Sequence, residues 1–412
     1  MSLGVHWGGS EVGRLERAGE RSREYSFAYL DRSRPISLSL PVRPEPFTPA
    51  ESRPFFEGLL PEGVLREQIA GQLRLATGDS YGLLAELGRD CAGALQISAE
   101  RPSEAAPSVH WLERGQLDRL IAELPHRPLG MSAGEPRMRL SLAGIQSKAV
   151  LVGDDAGRFG EPLDGMPSTH ILKPQAPGTT EYPELAVNEH FCMRLAGRCG
   201  IAVADTQLIQ TAGTICLVVK RFDRDRSNDP ARRLHQEDGC QALALTPDFK
   251  YQRPDWRLPS YAALAQLLDE HSLQPGLDRL ALARAAVFNF LIGNADAHAR
   301  NLSLLHLRGG VHLAPLYDLV CTAAYPALSA ELSLAIGDEL DPDAIGLQHW
   351  LDLSYDLRLR PTAFQRLRTQ LASDLPAQAA SLAEEAHSEQ WRGPVIDTVL
   401  ATIQARAGQL TA

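Results

Sequence analysis

This chain of 412 residues has six cysteines and no Cys-x-x-Cys pair among them. Cys91, Cys192, Cys199, Cys216, Cys240 and Cys321 therefore offer no zinc-finger spacing and no dithiol redox motif. Several lie inside apolar runs, where a free thiol packs as a small hydrophobe. The chain also lacks an excess of positive charge. Lys and Arg number 41 against 51 Asp and Glu, a net charge of −10. Nonspecific nucleic-acid binding by the whole surface is thereby disfavoured, though a local basic patch stays open. Residues 285–293, the longest strongly apolar stretch, are far too few to cross a bilayer. The first seven residues lack the basic and apolar regions of a signal peptide. The expectation is a cytoplasmic protein with no membrane association. Internal repeats and low-complexity tracts are also missing, so a solenoid is not expected.

What is present is ordinary globular material, 44% hydrophobic and 22% charged. The length suggests two or three domains. An N-terminal α/β subdomain is expected over 1–105, a strand-rich nucleotide-binding lobe over 106–235 and a mainly helical catalytic lobe over 236–412. Residues 36–40 alternate like a half-buried strand. Pro41, Pro44, Pro46 and Pro49 then break regular structure, and a helical region starts near Phe55. Residues 112–124 read as a helix, and 148–152 and 169–173 as short strands. A helix over 184–198 ends at Gly200, and 206–210 with 215–219 form a hairpin. Arg221, Arg224, Arg226, Arg232 and Arg233 alternate with Asp223, Asp225 and Asp229, which reads as a solvated loop. Residues 277–291 form a mostly apolar, buried helix. The tail from about Asp343 is amphipathic and helical. A strand-rich half followed by a helix-rich half suggests a two-lobed α+β enzyme with a cleft.

The densest chemistry lies in residues 291–303. Asp296 and Asn301 stand in an Asp-x-x-x-x-Asn spacing, and Asp318 follows a hairpin predicted over 303–314. A hairpin returns the chain to its start, so Asn301 and Asp318 come close enough to share a metal. Phosphoryl transfer needs a carboxylate that takes a hydroxyl proton beside oxygen ligands that hold magnesium on ATP phosphates. The spacing alone is weak, since about one chance match is expected in such a chain. The alternative is an Asx-rich turn without catalysis. His298 either orients this loop, assists proton transfer or is purely structural. Residues 141–148, Ser-Leu-Ala-Gly-Ile-Gln-Ser-Lys, are small enough for backbone N–H groups to approach phosphate, with Lys148 adding charge. On their own, an ordinary tight turn explains them better. Lys173 closes a short apolar strand, where a kinase places the lysine that grips ATP phosphates, with Glu184 or Glu189 as its partner. Lys220 and Phe222 bracket a possible adenine-contacting hinge. His235-Gln-Glu-Asp238 reads as a helix N-terminal cap.

Taken in order, these segments resemble one family. Ser141-x-Ala-Gly-x-Gln-x-Lys148, His170-Ile-Leu-Lys-Pro174, Gln236-Glu-Asp238, Asn294-Ala-Asp-Ala-His-Ala-Arg-Asn301 and Tyr317-Asp-Leu319 occur as in HipA-like kinases, toxin components of bacterial toxin–antitoxin pairs. Residues 35–41, 55–63 and 90–95 look like that family's N-terminal subdomain. The resemblance implies a magnesium-dependent serine/threonine protein kinase with a fold related to phosphoinositide and protein kinases. It implies Asp296 as catalytic base, Asn301 and Asp318 as Mg²⁺ ligands and Lys173 on ATP phosphate. It further implies Ala143, Gly144, Ile145, Gln146, Ser147 and Lys148 as the phosphate loop, and Ser141 as an autophosphorylated serine. The implied partners are a helix-turn-helix antitoxin (HipB-like), DNA only through that antitoxin, and a protein substrate such as an aminoacyl-tRNA synthetase. The family's hinge often begins with an acidic residue where this chain has Lys220. Two other readings stand beside this one: a lipid or small-molecule phosphotransferase, and a pseudokinase co-repressor acting with a DNA-binding partner.

Overall fold

The computed structural model describes residues 2–19, 22–100, 106–124, 148–175, 182–211, 213–256 and 258–411. The chain divides into two compact units. The first holds Met1–Pro174, Gln210–Thr214 and Val218–Asp248; the second holds Gln175–Ile209, Ile215–Leu217 and Phe249–Ala412.

The first unit begins with an antiparallel sheet. Strands β1 (Ser2–Trp7), β2 (Ser10–Arg17), β3 (Tyr25–Tyr29) and β4 (Leu95–Ser98) lie in the order β3-β2-β1-β4. Gly8 and Gly9, both at positive φ, make the two-residue turn between β1 and β2. Helices α1 (Pro49–Gly58), α2 (Gly63–Gln72) and α3 (Ser80–Leu87) accompany the sheet, and Phe27, Phe47, Phe55 and Phe56 are buried in their shared core. Two local expectations are corrected here. Pro49 does not break structure; it occupies the first turn of α1, where its missing N–H costs nothing, behind a Thr48–Glu51 capping box. Residues 36–40 are not a strand but a tight turn bridged from Ser37 to Leu40. Tyr29 fixes that turn: its hydroxyl donates to the Leu40 carbonyl at 2.6 Å and accepts from the Ile36 N–H at 2.9 Å. Pro35 and Pro41 flank the turn and supply no N–H to a ladder.

A second sheet follows in the same unit. Strands β5 (Ser108–Trp111), β6 (Ala149–Gly153), β7 (Phe159–Leu163) and β8 (His170–Pro174) run in the order β5-β7-β6-β8 and continue into β10 (Thr214–Lys220). Helix α4 (Arg114–Glu123) lies between β5 and β6 in the chain. Every residue of β6 is buried, which accounts for its unbroken apolar run. The short strands β11 (Arg224–Asp225) and β12 (Arg232–Arg233) pair, then β13 (His235–Asp238) leads into the one-turn helix α6 (Gly239–Ala242). Asp238 does cap α6, accepting from the Gln241 N–H at 2.9 Å, but His235 to Asp238 are strand.

The arginine cluster expected in solvent is instead partly buried. Arg221 and Arg224 are 4% and 5% exposed, and Asp90 and Asp223 are 3% and 2% exposed. Asp223 accepts from both Arg221 Nε at 2.9 Å and Nη2 at 2.8 Å. Asp90 accepts from Arg224 Nη2 at 2.9 Å and Arg233 Nη2 at 3.0 Å. Alternating charges hide this arrangement because Asp90 lies 134 residues upstream of Arg224 and 143 upstream of Arg233. Only Arg232, Asp225 and their neighbours keep the solvated character expected from the sequence.

The second unit is mostly helical. It contains α5 (Leu185–Arg198), the start of β9 (Thr206–Thr211), α7 (Tyr261–His271), α8 (Pro275–Leu291), the hairpin β14 (Ser303–Leu307) and β15 (Gly310–Leu313), α9 (Leu347–Asp356), α10 (Pro361–Ser388) and α11 (Pro394–Thr411). Ser260 caps α7 and Pro275 opens α8. The last seven residues of α8 are all buried, and α10 and α11 pack on each other and on α5 and α8. The α+β class expected from the sequence is the one observed. Among the described residues, no helix is long and apolar enough to cross a membrane.

Candidate active site

Helix α8 ends at the loop that carries Asp296. Gly293, at φ 67°, turns the chain out of the helix; a Cβ there would lie 2.7 Å from Thr402 and 2.9 Å from Ala323, so a larger residue does not fit. Two asparagines then tie the loop back to α8. Asn294 donates through Nδ2 to Asn289 Oδ1 at 2.8 Å, and Asn289 donates to the Ala285 carbonyl at 2.9 Å. The Asn294 Oδ1 accepts from the Asp296 N–H at 3.1 Å. Thr322 and Ser333 hold the neighbouring residue: Thr322 Oγ1 accepts from the Ala295 N–H at 2.7 Å, and Ser333 Oγ donates to the Ala295 carbonyl at 2.6 Å.

Asn301 ends a 3-10 turn (Ala299–Asn301), and its Nδ2 donates to the Asp296 carbonyl at 3.0 Å. The two ends of the Asp-x-x-x-x-Asn segment are thus joined. The β14–β15 hairpin forms with Leu304 opposite Leu313 and Leu307 opposite Gly310. Tyr317 closes its open end: its hydroxyl donates to the Arg300 carbonyl at 2.6 Å and bonds the Ser303 hydroxyl at 2.7 Å. Asp318 follows in the left-handed region, φ 58°, a conformation aspartate tolerates better than most residues. Its charge reaches both Asp296 and His298.

The protein packed around Asp296 raises the pKa of its carboxyl, and the Asp318 carboxylate raises it too. The Tyr251 hydroxyl, donating to Asp296 Oδ1 at 3.0 Å, and Lys250 pull it down. A raised carboxylate pKa is what general-base work near neutral pH requires. Burial, helped by Lys250, lowers His298 to about 3, so its ring is neutral and packs edge-on against Tyr251 at 5.4 Å. Arg300 is buried, which lowers it to about 10.

Magnesium typically takes one or two protein carboxylates and completes its shell with phosphate and water oxygens. Asp318 and Asn301 suit that pattern. With the Asn301 Nδ2 committed to the Asp296 carbonyl, its Oδ1 is the atom left to ligate. Among the described residues no group of three His, Cys, Asp or Glu side chains could hold a metal by itself. The donor set therefore fits a cation carried partly by a phosphate substrate.

In the first unit, Lys148 and Lys173 come together. The β6–β8 register pairs Ala149 with Leu172, which sets Lys148 across from Lys173 one step on. Lys148 is buried and Lys173 half-buried. Lys220 ends β10, the strand next to β8, and Phe222 follows it half-buried. Between them, Arg221 is bound into the Asp90–Asp223 cluster. Ser141, Ala143, Gly144, Ile145, Gln146 and Ser147 lie outside the described residues. Of the two glutamates considered for Lys173, Glu184 accepts from the Val395 N–H at 2.8 Å at the start of α11, and Glu189 is buried on α5.

The family model described as HipA-like C-terminal domain matches residues 140–379, and the one described as HipA N-terminal domain matches residues 3–98. The chain belongs to the HipA-like family. Among its relatives is a Sinorhizobium fredii protein named "Putative kinase Y4mE", 43% identical over 363 residues and covering 84% of each chain. The "Serine/threonine-protein kinase toxin HipA" of Shewanella oneidensis is 28% identical over 365 residues, covering 84% of this chain and 81% of that protein. A solved structure titled as the Shewanella oneidensis MR-1 toxin–antitoxin system HipA, HipB and operator DNA complex matches with a TM-score of 0.84 at 25% identity, covering 99% of this chain and 98% of that one. The protein is thus a HipA-like kinase with the family's α+β, kinase-like fold. Within its first unit, Asp90 of the N-terminal family segment is ion-paired with Arg224 and Arg233 of the C-terminal one.

Two features of this HipA-like chain escaped the sequence reading. Tyr251 stands 45 residues before Asp296 in an irregular stretch with no periodicity, so nothing flagged it. The Asp90–Arg224 pair joins positions 134 residues apart, and only the Asp90-Cys-Ala-Gly-Ala-Leu95 resemblance marked that region.

Proposed function

We propose that this HipA-like protein is an ATP- and Mg²⁺-dependent serine/threonine kinase that serves as the toxin of a bacterial toxin–antitoxin pair. The observation that carries the reading is the meeting of Asp296, Asn301 and Asp318 on one buried-helix platform in the second unit. In the transfer step, the hydroxyl oxygen of a substrate serine or threonine forms a bond to the γ-phosphorus of ATP. The bond to the β,γ-bridging oxygen breaks, ADP leaves, and the hydroxyl proton passes to Asp296. Asn301 and Asp318 would hold the magnesium, which would neutralise charge on the phosphates. Lys173 and Lys148, neighbours across β6 and β8, give positive charge to the α- and β-phosphates, with residues 143–147 as the rest of the phosphate loop. Lys220 to Phe222 serve as the adenine hinge, His298 keeps the loop in shape, and Ser141 is the autophosphorylation site.

The antitoxin partner is a small helix-turn-helix protein of the HipB kind, with DNA reached through it. Support comes from the solved HipA–HipB–operator complex that this chain resembles over nearly its full length. The protein substrate is a translation component such as an aminoacyl-tRNA synthetase, and the site of action is the cytoplasm. The test is incubation of the purified protein with γ-labelled ATP, magnesium and cell extract, then identification of the labelled band. Magnesium-dependent label on a translation protein supports the reading; no label with or without magnesium overturns it.

A further inference from the structure

The strongest unassigned feature near Asp296 is a strap formed by residues 249–256. It is held at three points within the second unit, one of them on the catalytic loop itself. The Lys250 carbonyl accepts from the Ala299 N–H at 3.2 Å. The Gln252 N–H donates to the Ser333 carbonyl at 2.8 Å, and Ser333 in turn bonds the Ala295 carbonyl through both its N–H and its hydroxyl. The Gln252 side chain accepts from the Ala335 N–H at 3.0 Å. Phe249 and Trp256 stack at 4.5 Å across the bridge between Arg253 and Trp256, which stiffens the strap.

Tyr251 projects from this strap onto Asp296. Its ring rests against the buried His298 at 5.4 Å, and its hydroxyl donates to Asp296 Oδ1 at 3.0 Å. Among the described residues, Asp296 Oδ2 receives no hydrogen bond. A carboxylate on a free side-chain rotor presents either oxygen; this one has Oδ1 tied to a donor whose ring, 37% exposed, rests on His298. The geometry points to Tyr251 as a positioning residue that fixes the Asp296 carboxylate so that Oδ2 takes the hydroxyl proton. The assignment rests on the proposed role of Asp296 as base. Tyr251 touches no reacting atom; it acts through Asp296, by lowering the freedom that would otherwise be lost on reaching the transition state. A hydrogen bond from a neutral donor to a charged group supports a rate effect of about 10- to 100-fold.

The test uses the full chain and its self-phosphorylation by γ-labelled ATP, read as a single-turnover rate. Tyr251→Phe keeps the ring on His298 and removes only the hydroxyl. The expected result is a rate about 10- to 100-fold lower, with the ATP dissociation constant and melting temperature unchanged. In an Asp296→Asn background the same substitution is expected to cost nothing further, because a group acting through Asp296 has nothing left to position. A merely structural tyrosine would lower the rate equally in both backgrounds. If wild type and Tyr251→Phe label at the same rate, or if the loss persists in the Asp296→Asn background, the role of Tyr251 is overturned and that of Asp296 stands. If the wild type does not label at all, the role of Asp296 as base falls, and the assignment of Tyr251 with it.

Discussion

Asp90→Asn is predicted to destabilise the first unit by about 3 kcal/mol, within the roughly 3–5 kcal/mol range for breaking a buried ion pair. Three guanidinium groups, Arg221, Arg224 and Arg233, face the two carboxylates of Asp90 and Asp223. The Arg224 side chain is 0% exposed and that of Asp90 4% exposed, so neither charge can recover hydration if its partner is lost. Asp90 also accepts from the Ser168 hydroxyl at 2.5 Å and the Ser168 N–H at 3.1 Å. An asparagine turns one acceptor oxygen into a donor that faces other donors. Burial alone would raise the Asp90 pKa, but Arg224, Arg233 and Arg221 outweigh it and hold it at about 2, against an ordinary 3.8. The direction of that shift means that the ionised Asp90 stabilises the folded state. Because the folded pKa is the lower one, this stabilisation is complete above about pH 4 and is lost as pH falls toward 2. The assay is equilibrium urea unfolding of the wild type and Asp90→Asn at pH 7, with Asp155→Asn, whose side chain is 96% exposed, as control. A loss below about 1 kcal/mol for Asp90→Asn would refute the claim that this cluster holds the unit together.

His170 makes stability fall in mild acid. Burial lowers it to about 4, with Arg226 and Lys220 adding to the effect. The unfolded chain takes up this proton first, so stability drops between about pH 6.5 and pH 4 and no further below that. His170→Gln should remove roughly 2 kcal/mol of the difference between pH 7 and pH 5 in urea titrations, and an unchanged difference would contradict this. Gly153→Ala would place a Cβ 2.5 Å from the His170 ring, which Thr169 holds at 2.9 Å. Overpacking of this kind costs about 1–3 kcal/mol, readable as a lower melting temperature; an unshifted melt would mean that the ring moves aside freely.

The sequence spoke most clearly where one element dictates its own geometry. Helix α8 was legible from its apolar run, the β14–β15 hairpin from Arg308-Gly-Gly310 between two apolar stretches, and α5 from its periodicity and closing glycine. Those elements place Asp296, Asn301 and Asp318, so their meeting in space could be foreseen. Residues 36–40 misled because alternation is also what a turn shows when Ile36 and Leu40 are both buried in the core. Pro49 misled because a proline that ends one conformation also starts a helix well. The arginine cluster was opaque for a different reason. Whether Arg224 meets water or Asp90 depends on a chain reversal across 134 residues, which local charge pattern does not encode. Tyr251 was hidden in the same way, since its partner is fixed by strap contacts to Ala299, Ser333 and Ala335 rather than by any repeat of its own.

The central claim is tested most directly by the single-turnover rate of γ-phosphate transfer by wild type and Asp296→Asn at saturating ATP and magnesium. Removing a general base should slow the reaction about 10²- to 10⁴-fold while ATP still binds with wild-type affinity. Equal rates for the two proteins would show that Asp296 is not the base and that the loop after α8 is not where phosphoryl transfer occurs.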